Sequence, residues 1–290
     1  MGLLVRRITL HEKHQLQSLN RSAIFTQRHL DWLEPEDILA DGLNYFLLHN
    51  DRIIAALGVS ASIEHYRWLQ YFSCYDAHQD IQKVWEIFWS EIKTDPDLQG
   101  SQVLSVPTGQ GFRACLERTL FNNRGKIIYM CSQGSILGTT HHGMDKSRKL
   151  DIQPLKEGQI ESLVRLVEPG FPPAWRLNKT NLYRAVESSS IKLAAMVNQR
   201  AVGYILAQYE DDSIHVARLA IAPEFQQQGI GSILMNELEQ IGKNLNGSEY
   251  TLNTYSGNTS AIQFYEKLGF IITNQSFPVY GYTARSKTDI

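Results

Sequence analysis

Apolar positions recur along the chain at two spacings, which predict alternating strands and helices. In the second half, the apolar run at 213–222 ends at Pro223 and predicts a strand. Apolar residues at helical spacing follow and predict a helix of about 14 residues: Ile230, Ile233, Leu234, Leu238 and Ile241. Beyond it, the pattern predicts a strand at 250–255, a helix at 261–268 closed by Gly269, and a strand that starts at 270–273.

The first half shows a similar order of elements. Its pattern predicts strands at 68–75, 103–106 and 126–131, and helices at 81–92 and 112–121. Each half also opens with a short strand and an amphipathic helix, followed by a hairpin with an asparagine in its turn, Asn50 or Asn198. Matching features in the same order favour a duplicated fold. The alternation predicts the α/β class, with a helix-covered sheet in each half.

The length of the chain and one polar segment predict two domains. A chain of 290 residues is long for a single compact domain. Residues 138–149 show no apolar periodicity and contain two glycines, which is typical of a connection between domains. We therefore predict a first domain at 1–138, a linker at 139–149 and a second domain at 150–290.

The composition narrows the class of protein. With 43% hydrophobic and 20% charged residues, the chain falls in the range of soluble globular proteins. A formal net charge of -2 gives no general attraction to nucleic acid or acidic membranes. No apolar run of about 18 residues is present, and the N-terminus lacks the features of a signal peptide. We expect a cytoplasmic protein without nucleic-acid or membrane partners.

The cysteines and histidines do not indicate a metal site. Cys74, Cys115 and Cys131 are widely separated and lack CxxC spacing, which favours buried reduced thiols over a zinc site or disulfides. The nine histidines form no HxxxH or HExxH pair, and His141-His142 lies in the polar connection. We expect no bound metal.

The junction between the strand at 213–222 and the next helix carries the clearest chemistry. It reads Gln226-Gln227-Gln228-Gly229-Ile230-Gly231-Ser232. Glycines at the start of a helix let an anion approach the free amides of the first turn, where the helix dipole is positive. The segment lacks the Gly-Lys-Ser/Thr of a Walker A loop and the third glycine of a dinucleotide fingerprint, which disfavours a nucleotide-binding module.

Two motifs in the second half resemble the GCN5-related N-acetyltransferase (GNAT) family. The run Leu219-Ala220-Ile221-Ala222-Pro223, continued by Gln226-x-x-Gly229-x-Gly231, resembles motif A of the family. Residues 258–270 resemble its second signature, Asn-x-x-Ala-x-x-Phe/Tyr-Tyr-x-x-x-Gly-Phe. The resemblance covers the second half, whereas the first half resembles the fold in element order only. It implies two tandem GNAT-like domains, each a mixed, mostly antiparallel sheet flanked by helices, with acetyl-CoA as the acyl donor.

The resemblance also implies where acetyl-CoA binds. The strands at 213–222 and 250–255 would separate, and the pantetheine arm would pair with backbone near Leu219 and Ile221. The pyrophosphate would rest on the amides from Gln227 to Ser232. The implied cofactor-binding residues are Leu219, Ala220, Ile221, Gln226, Gln227, Gln228, Gly229, Ile230, Gly231, Ser232, Asn258, Ala261, Phe264 and Tyr265.

Two residues are candidates for the proton transfers that amine acetylation requires. Tyr265 lies where the family usually places the proton donor for the leaving thiolate, although its ring could simply pack against the cofactor. His215 lies where the histone-acetylating branch of the family carries a glutamate, and it is a candidate base or a structural histidine. Asn253 stands where N-terminal-amine acetylases of the ribosomal-protein type carry a glutamate, and an amide cannot act as a base. That disfavours a ribosomal-protein-type role.

The first half has Asp76-Ala77-His78-Gln79-Asp80 where the second half has its glycines. Carboxylates repel a pyrophosphate. The first half is therefore predicted to be a degenerate GNAT-like copy without a cofactor site, serving structure or substrate enclosure.

Together these predictions describe an N-acetyltransferase, an acyltransferase that moves an acetyl group from acetyl-CoA to a primary amine by direct attack on the thioester. A small-molecule amine is favoured over a protein amine as acceptor, and the loop at 169–176 is expected to shape its site. The alternative is a non-catalytic acyl-CoA sensor with the same pocket. The sequence does not specify the acceptor, the length of the acyl group or the oligomeric state.

Overall fold

A computed structural model describes residues 2–75, 80–134, 136 and 150–284. The chain divides into two compact units. Unit 1 comprises Met1–Gly125 and Phe277–Ile290, and unit 2 comprises Lys126–Ser276. Each combines helices with a mostly antiparallel sheet, so the predicted α/β class is confirmed.

Unit 1 is a mixed sheet flanked by helices. Its elements are β1 (Leu3–Arg7), α1 (Lys13–Ser22), β2 (Phe25–Arg28), β3 (Leu43–His49), β4 (Arg52–Val59), β5 (Tyr66–Cys74), α2 (Ile81–Ile92), β6 (Gln102–Ser105) and α3 (Gln110–Arg118). The strand order is β1-β3-β4-β5-β6, antiparallel except for the parallel pair β5–β6. Helix α2 buries a stripe of residues at helical spacing against this sheet: Val84, Trp85, Phe88, Trp89 and Ile92.

Unit 2 repeats this arrangement. The remaining elements are β7 (Asn122–Gln133), β8 (Leu150–Pro154), α4 (Ile160–Leu166), α5 (Lys179–Ser188), β9 (Ile191–Val197), β10 (Arg200–Glu210), β11 (Ser213–Ile221), α6 (Ile230–Asn244), β12 (Glu249–Tyr255), α7 (Thr259–Lys267) and β13 (Ile271–Thr283). The strand order in unit 2 is β7-β12-β11-β10-β9-β8, antiparallel except for the parallel pair β11–β12. None of the helices in the described ranges is long and apolar enough to cross a membrane.

Helix α6 packs closely on the sheet of unit 2. Its buried residues Leu234 and Leu238 share one core cluster with Ile214 of β11 and Tyr250 of β12. A Cβ atom on Gly242 would collide with the ends of the Ile214 and Tyr250 side chains, so glycine allows α6 to approach both strands without displacing them. This packing holds α6 against β11 and β12.

Both predicted hairpins are present. The β3–β4 turn has Asn50 and Asp51 at φ 50 and 61, and the β9–β10 turn has Asn198 and Gln199 at φ 50 and 66. Two successive residues in the left-handed region are typical of a type I′ turn, in which asparagine is favoured at the first of these positions.

The division into units differs from the predicted domain boundary. The sequence predicts β7 in the first domain, but residues 127–133 pair with β12 and lie in unit 2. It predicts all of β13 in the second domain, but residues 280–283 pair with β6 and lie in unit 1. Pairing between segments far apart in the chain decides this exchange, and a local apolar pattern does not show it. The predicted linker at 139–149 lies outside the described residues.

Two elements have no counterpart among the predictions. Strand β2 has four residues, two of them the polar Gln27 and Arg28. Helix α5 is mostly polar, and its N-cap is Asn178, whose side chain accepts from the amide of Asn181 at 2.8 Å. Strand β2 is too short for an apolar pattern to identify it, whereas α5 has a stripe at helical spacing, Leu182, Ala185 and Val186, which the predictions do not include.

Candidate active site

The parallel strands β11 and β12 separate part-way along their length. They pair up to Val216 of β11, and the pairing then ends although β11 continues to Ile221. On the other side, the register against β10 shifts between Leu206 and Ala207, which places Ala217 in a β-bulge. A bulge bends its strand and interrupts pairing. The gap implied by the family resemblance is therefore present in unit 2.

Beyond the bulge, one edge of β11 faces this gap. The amide of Ala222 donates to the carbonyl of Val202 at 2.8 Å. Because backbone groups alternate in direction along a strand, those of Leu219 and Ile221 point away from β10 and towards the gap. The Ile221 carbonyl accepts from Gln226 Nε2 at 3.0 Å. An extended ligand that carries amide groups can pair with the backbone of Leu219.

The N-terminus of α6 opens onto the same gap. Its N-cap is Gly229, which is left-handed at φ 82 and has no side chain to cap the first-turn amides. The helical bonding begins with the Ile233 amide, which donates to the Gly229 carbonyl at 3.1 Å. Among the residues that the structure describes, no acceptor is recorded for the preceding amides, of Ile230, Gly231 and Ser232, which can therefore bind another acceptor. With the helix dipole, they form a site that favours an anion.

A cleft of about 420 Å³ follows this strand edge and helix terminus. All the predicted cofactor-binding residues line it except Gln228, which donates from Nε2 to the Glu224 carbonyl at 2.9 Å. The lining residues are Gly170, Phe171, Pro172, Leu219, Ala220, Ile221, Phe225, Gln226, Gln227, Gly229, Ile230, Gly231, Ser232, Asn258, Ser260, Ala261, Phe264 and Tyr265. Residues 170–172 are not among the predicted cofactor-binding residues, because a Pro- and Gly-rich sequence indicates a loop without showing where it lies.

The second signature motif forms the opposite wall. Asn258 is the N-cap of α7, and its Oδ1 accepts from the Ala261 amide at 3.4 Å. This cap fixes the start of the helix, from which Ala261, Phe264 and Tyr265 line the cleft.

A second cleft of about 320 Å³ adjoins the first. Six residues line both clefts: Phe171, Pro172, Leu219, Asn258, Ala261 and Tyr265. The second cleft is also lined by Ile127, Trp175, Val216, Ala217, Arg218, Asn253, Thr254, Tyr255 and Gly257. Among the described residues that line it, Arg218 is the one charged residue. In the described ranges, no group of three or more His, Cys, Asp or Glu side chains could hold a metal ion.

Tyr265 lies where the two clefts meet. Its side chain is buried, with the residue 8% exposed, and packs against Phe264 and Phe270 at ring-centroid distances of 5.2 and 5.8 Å. Burial raises the pKa of Tyr265 because it disfavours the phenolate, and the nearby charge of Arg218 opposes this only in part. The hydroxyl is therefore protonated at neutral pH and can donate a hydrogen bond.

His215 is not among the described residues lining either cleft. Its Nδ1 lies 3.0 Å from Thr251 Oγ1, and its Nε2 lies 3.5 Å from Nδ2 of Asn253, which lines the second cleft. The ring also stacks on Tyr129 of β7 at 6.0 Å between centroids. Burial lowers the pKa of His215 because it disfavours the imidazolium, so the ring is neutral at physiological pH. The geometry is compatible with a base acting through a solvent molecule and with a structural histidine.

Sequence reasoning missed a buried ion pair beside the second cleft. Glu168 lies 2.6 Å from Arg218, with side chains 3% and 10% exposed. Tyr204 donates to Glu168 at 2.6 Å and accepts from Arg218 Nε at 2.9 Å. The pair joins residues 50 positions apart in the chain. No local signal could have indicated it.

The corresponding region of unit 1 has the same arrangement of strands and helix, but residues of the chain itself occupy the strand edge and the helix terminus. Strand β5 pairs with β6 only as far as Trp68, and the register against β4 shifts between Gly58 and Val59. Strand β2 then pairs with residues 71–74 of β5, on the edge that corresponds to the open edge of β11. At the N-terminus of α2, the carboxylate of Asp80 accepts from the Gln82 amide at 3.0 Å. The rest of the predicted acidic segment, 76–79, lies outside the described residues.

The comparisons with known proteins agree with this architecture. Residues 160–270 match the family model described as the acetyltransferase (GNAT) family. The resemblance to the GNAT family that the two motifs indicate is therefore confirmed for residues 160–270. Its whole fold is similar to a tandem GNAT protein from the clavulanic acid biosynthesis pathway, with a TM-score of 0.56 and 9% identity over 98% of this chain and 99% of that one. The first half is thus also GNAT-like in fold.

Two curated relatives match part of the chain. The N-terminal acetyltransferase B complex catalytic subunit NAA20 of Arabidopsis thaliana is 34% identical over 86 residues, 28% of this chain and 49% of that protein. N-alpha-acetyltransferase 20 of Dictyostelium discoideum is 32% identical over 89 residues, 29% of this chain and 51% of that protein. The chain spans about half the length of these relatives. The similarity supports an acyltransferase of the N-acetyltransferase type in general.

Proposed function

We propose that unit 2 is an N-acetyltransferase that transfers the acetyl group of acetyl-CoA to a primary amine by direct attack on the thioester. The observation that carries this proposal is the meeting of two clefts at Leu219 and Tyr265, the first of which also contains the uncapped terminus of α6. Acetyl-CoA would supply an acyl group activated as a thioester, and the amine would enter from the second cleft.

The residues of the first cleft fit CoA at two points. The free amides of Ile230, Gly231 and Ser232 suit a pyrophosphate, because the helix dipole adds to their hydrogen bonds. The backbone edge at Leu219 suits the amides of a pantetheine arm, which would pair as an additional strand does. The same two features support CoA over a nucleotide that lacks an amide-bearing arm.

The chemistry requires one proton to leave the amine and one to reach the sulfur, while the N–C bond forms and the C–S bond breaks. Tyr265 is the proposed donor, since it is protonated and lines both clefts. His215 is the proposed base, acting through a water molecule beside Asn253, because it is neutral and lies behind the lining of the second cleft.

The second cleft limits the charge of the acceptor. No carboxylate is among its described lining residues, so it does not suit acceptors with several positive charges, such as aminoglycosides. The names of the two relatives refer to N-terminal or α-amines, which does not fit a general preference for small-molecule amines. We propose an acceptor with one amine group, in the α position.

Unit 1 is proposed not to bind acetyl-CoA. Strand β2 lies on the edge of β5 where a pantetheine arm would pair. The carboxylate of Asp80 already accepts from the first turn of α2 and would repel a pyrophosphate. Unit 1 would then serve structure or substrate enclosure.

A screen of amines that follows release of free CoA thiol tests the proposal. Turnover with at least one α-amine, in the wild-type protein, is expected. Tight acetyl-CoA binding without turnover across the panel would contradict it and favour the acyl-CoA sensor. Gly231→Asp should abolish binding and turnover together, whereas Gly111→Asp, at the equivalent second position of α3 with open space around it, should not.

A further inference from the structure

The second cleft contains a guanidinium with unused donors. A guanidinium has five N–H donors. Within unit 2, Arg218 uses Nε on the Tyr204 hydroxyl at 2.9 Å, and Nη2 on Glu168 at 2.6 Å and on the Trp175 carbonyl at 3.0 Å. In the described part of the chain, no group accepts from Nη1, although the side chain is only 10% exposed.

The guanidinium is held in place from several sides. Its central carbon lies 3.9 Å from the centroid of the Phe171 ring, a cation–π contact. Its partner Glu168 is fixed in turn by the Leu177 amide, which donates to it at 2.7 Å. A donor so fixed loses little conformational freedom when it binds a ligand.

The unused donors belong to a cleft that suits one kind of partner. Arg218 Nη1 is not among the buried side-chain atoms that lack a partner, so its N–H groups are accessible and take an acceptor from water or from a ligand. A carboxylate is the group that arginine recognises best by geometry and charge. The rings of Trp175 and Tyr255, 5.6 Å apart, line the same cleft and offer an apolar wall.

We propose that the amine acceptor is a free α-amino acid with an apolar side chain, whose carboxylate accepts from Arg218 Nη1. Its α-amine would face the thioester at Leu219, and its side chain would lie along Trp175 and Tyr255. Arg218 and Leu219 are consecutive residues that both line the cleft, and the amine and carboxylate of an α-amino acid share one carbon. This inference rests on the proposed acetyl transfer.

The test compares matched acceptors on the wild-type protein. The assay follows thiol release with four acceptors: phenylalanine, phenylalaninamide, phenethylamine and the tripeptide Phe-Ala-Ala. Each rate is expressed per concentration of unprotonated amine. Phenylalanine should have a kcat/KM about 10- to 100-fold above that of phenethylamine and of the amide, because a charged hydrogen bond is lost with the carboxylate. The same order is expected for leucine against isopentylamine.

The outcomes separate this inference from the function on which it rests. If phenethylamine and phenylalanine have the same kcat/KM, the proposed acetyl transfer is supported and the proposed carboxylate site is wrong. If the tripeptide is the best acceptor, the α-amine belongs to a polypeptide and the free amino acid is wrong. If no amine in the panel releases thiol, the proposed acetyl transfer fails and this inference fails with it.

A variant locates the effect at Arg218. The double substitution Glu168→Gln with Arg218→Gln removes both charges together, so neither is left buried and unpaired. The ratio of kcat/KM for phenylalanine to that for phenethylamine should fall to about one, whatever happens to the absolute rates. Arg184→Gln, at an arginine of α5 paired with Glu187, should keep the wild-type ratio. A double variant that folds and retains the ratio would overturn the assignment, and if it does not fold, the wild-type series decides.

Discussion

The ion pair between Glu168 and Arg218 connects the stability of unit 2 to the shape of its clefts. Glu168 accepts three short hydrogen bonds, from the Tyr204 hydroxyl at 2.6 Å, Arg218 Nη2 at 2.6 Å and the Leu177 amide at 2.7 Å. The loop that begins at Glu168 carries Phe171, which lines both clefts. The carboxylate therefore fixes this loop against β10 and β11.

Glu168→Gln keeps the size of the side chain and removes its charge. Leaving one member of a buried pair without its partner costs about 3–5 kcal/mol. For a unit of this size, each kcal/mol corresponds to about 2–4 °C in Tm, so the melting temperature of unit 2 should fall by roughly 6–20 °C. Glu187→Gln is the matched control: its partner Arg184 lies at 2.7 Å, but the two side chains are 54% and 39% exposed. That pair contributes at most about 1 kcal/mol.

The measurement must report on unit 2, since two units need not unfold together. Hydrogen exchange of the β10 and β11 amides during thermal or denaturant unfolding gives this resolution. If Glu168→Gln lowers the stability of these strands no more than Glu187→Gln does, the ion pair does not hold the loop. Replacing both partners by apolar residues, Glu168→Leu with Arg218→Met, should recover part of the loss, because no unpaired charge remains.

Three further outcomes are expected. Tyr265→Phe removes only the hydroxyl, so kcat should fall by about 10- to 10³-fold while the acetyl-CoA dissociation constant changes little; a raised dissociation constant with kcat intact would make Tyr265 a packing residue. His215→Ala should lower kcat/KM by about 10²-fold and flatten its acid limb; because burial lowers the pKa of His215, the wild-type limb should lie at a lower pH than the titration of a free imidazole, and an unchanged profile excludes the base. Calorimetric titration should give one acetyl-CoA site per chain, lost in Gly231→Asp and kept in Gly111→Asp; two sites would show that unit 1 binds CoA.

Features encoded by a few adjacent residues could be predicted from the sequence. The glycines at 229 and 231 indicate an uncapped helix terminus because glycine provides no capping side chain, and Gly229 is the N-cap at φ 82. The helix predicted at 261–268 is present as α7, and Asn258 at its N-cap has a side chain that accepts from the Ala261 amide. The turns at Asn50 and Asn198 follow from the tolerance of asparagine for the left-handed region.

Features that depend on distant segments could not be predicted. The pairing of β7 with β12 and of residues 280–283 with β6 decides the limits of the units, and neither is visible in a local apolar pattern. The same holds for Glu168 and Arg218, because a single charged residue in a sequence is ordinarily expected on the surface and its distant partner is not apparent. The position of His215 behind Asn253 is likewise a matter of strand register rather than of residue type.

The two units share one arrangement of strands and helix, in which the same backbone groups are either open or used by the chain itself. Each has a parallel strand pair that separates, a register shift on the neighbouring strand, and a helix that starts beyond the gap. A CoA-like ligand needs two things from this arrangement: a free strand edge for its amides and free helix amides for its phosphates. In unit 2 the edge at Leu219 faces a cleft and Gly229 offers no cap. In unit 1 both groups are used by the chain itself, since β2 covers the edge and Asp80 caps the helix. Strand β2 and the Asp80 carboxylate each satisfy backbone groups that a ligand would otherwise satisfy. Unit 1 can therefore be stable without a cofactor.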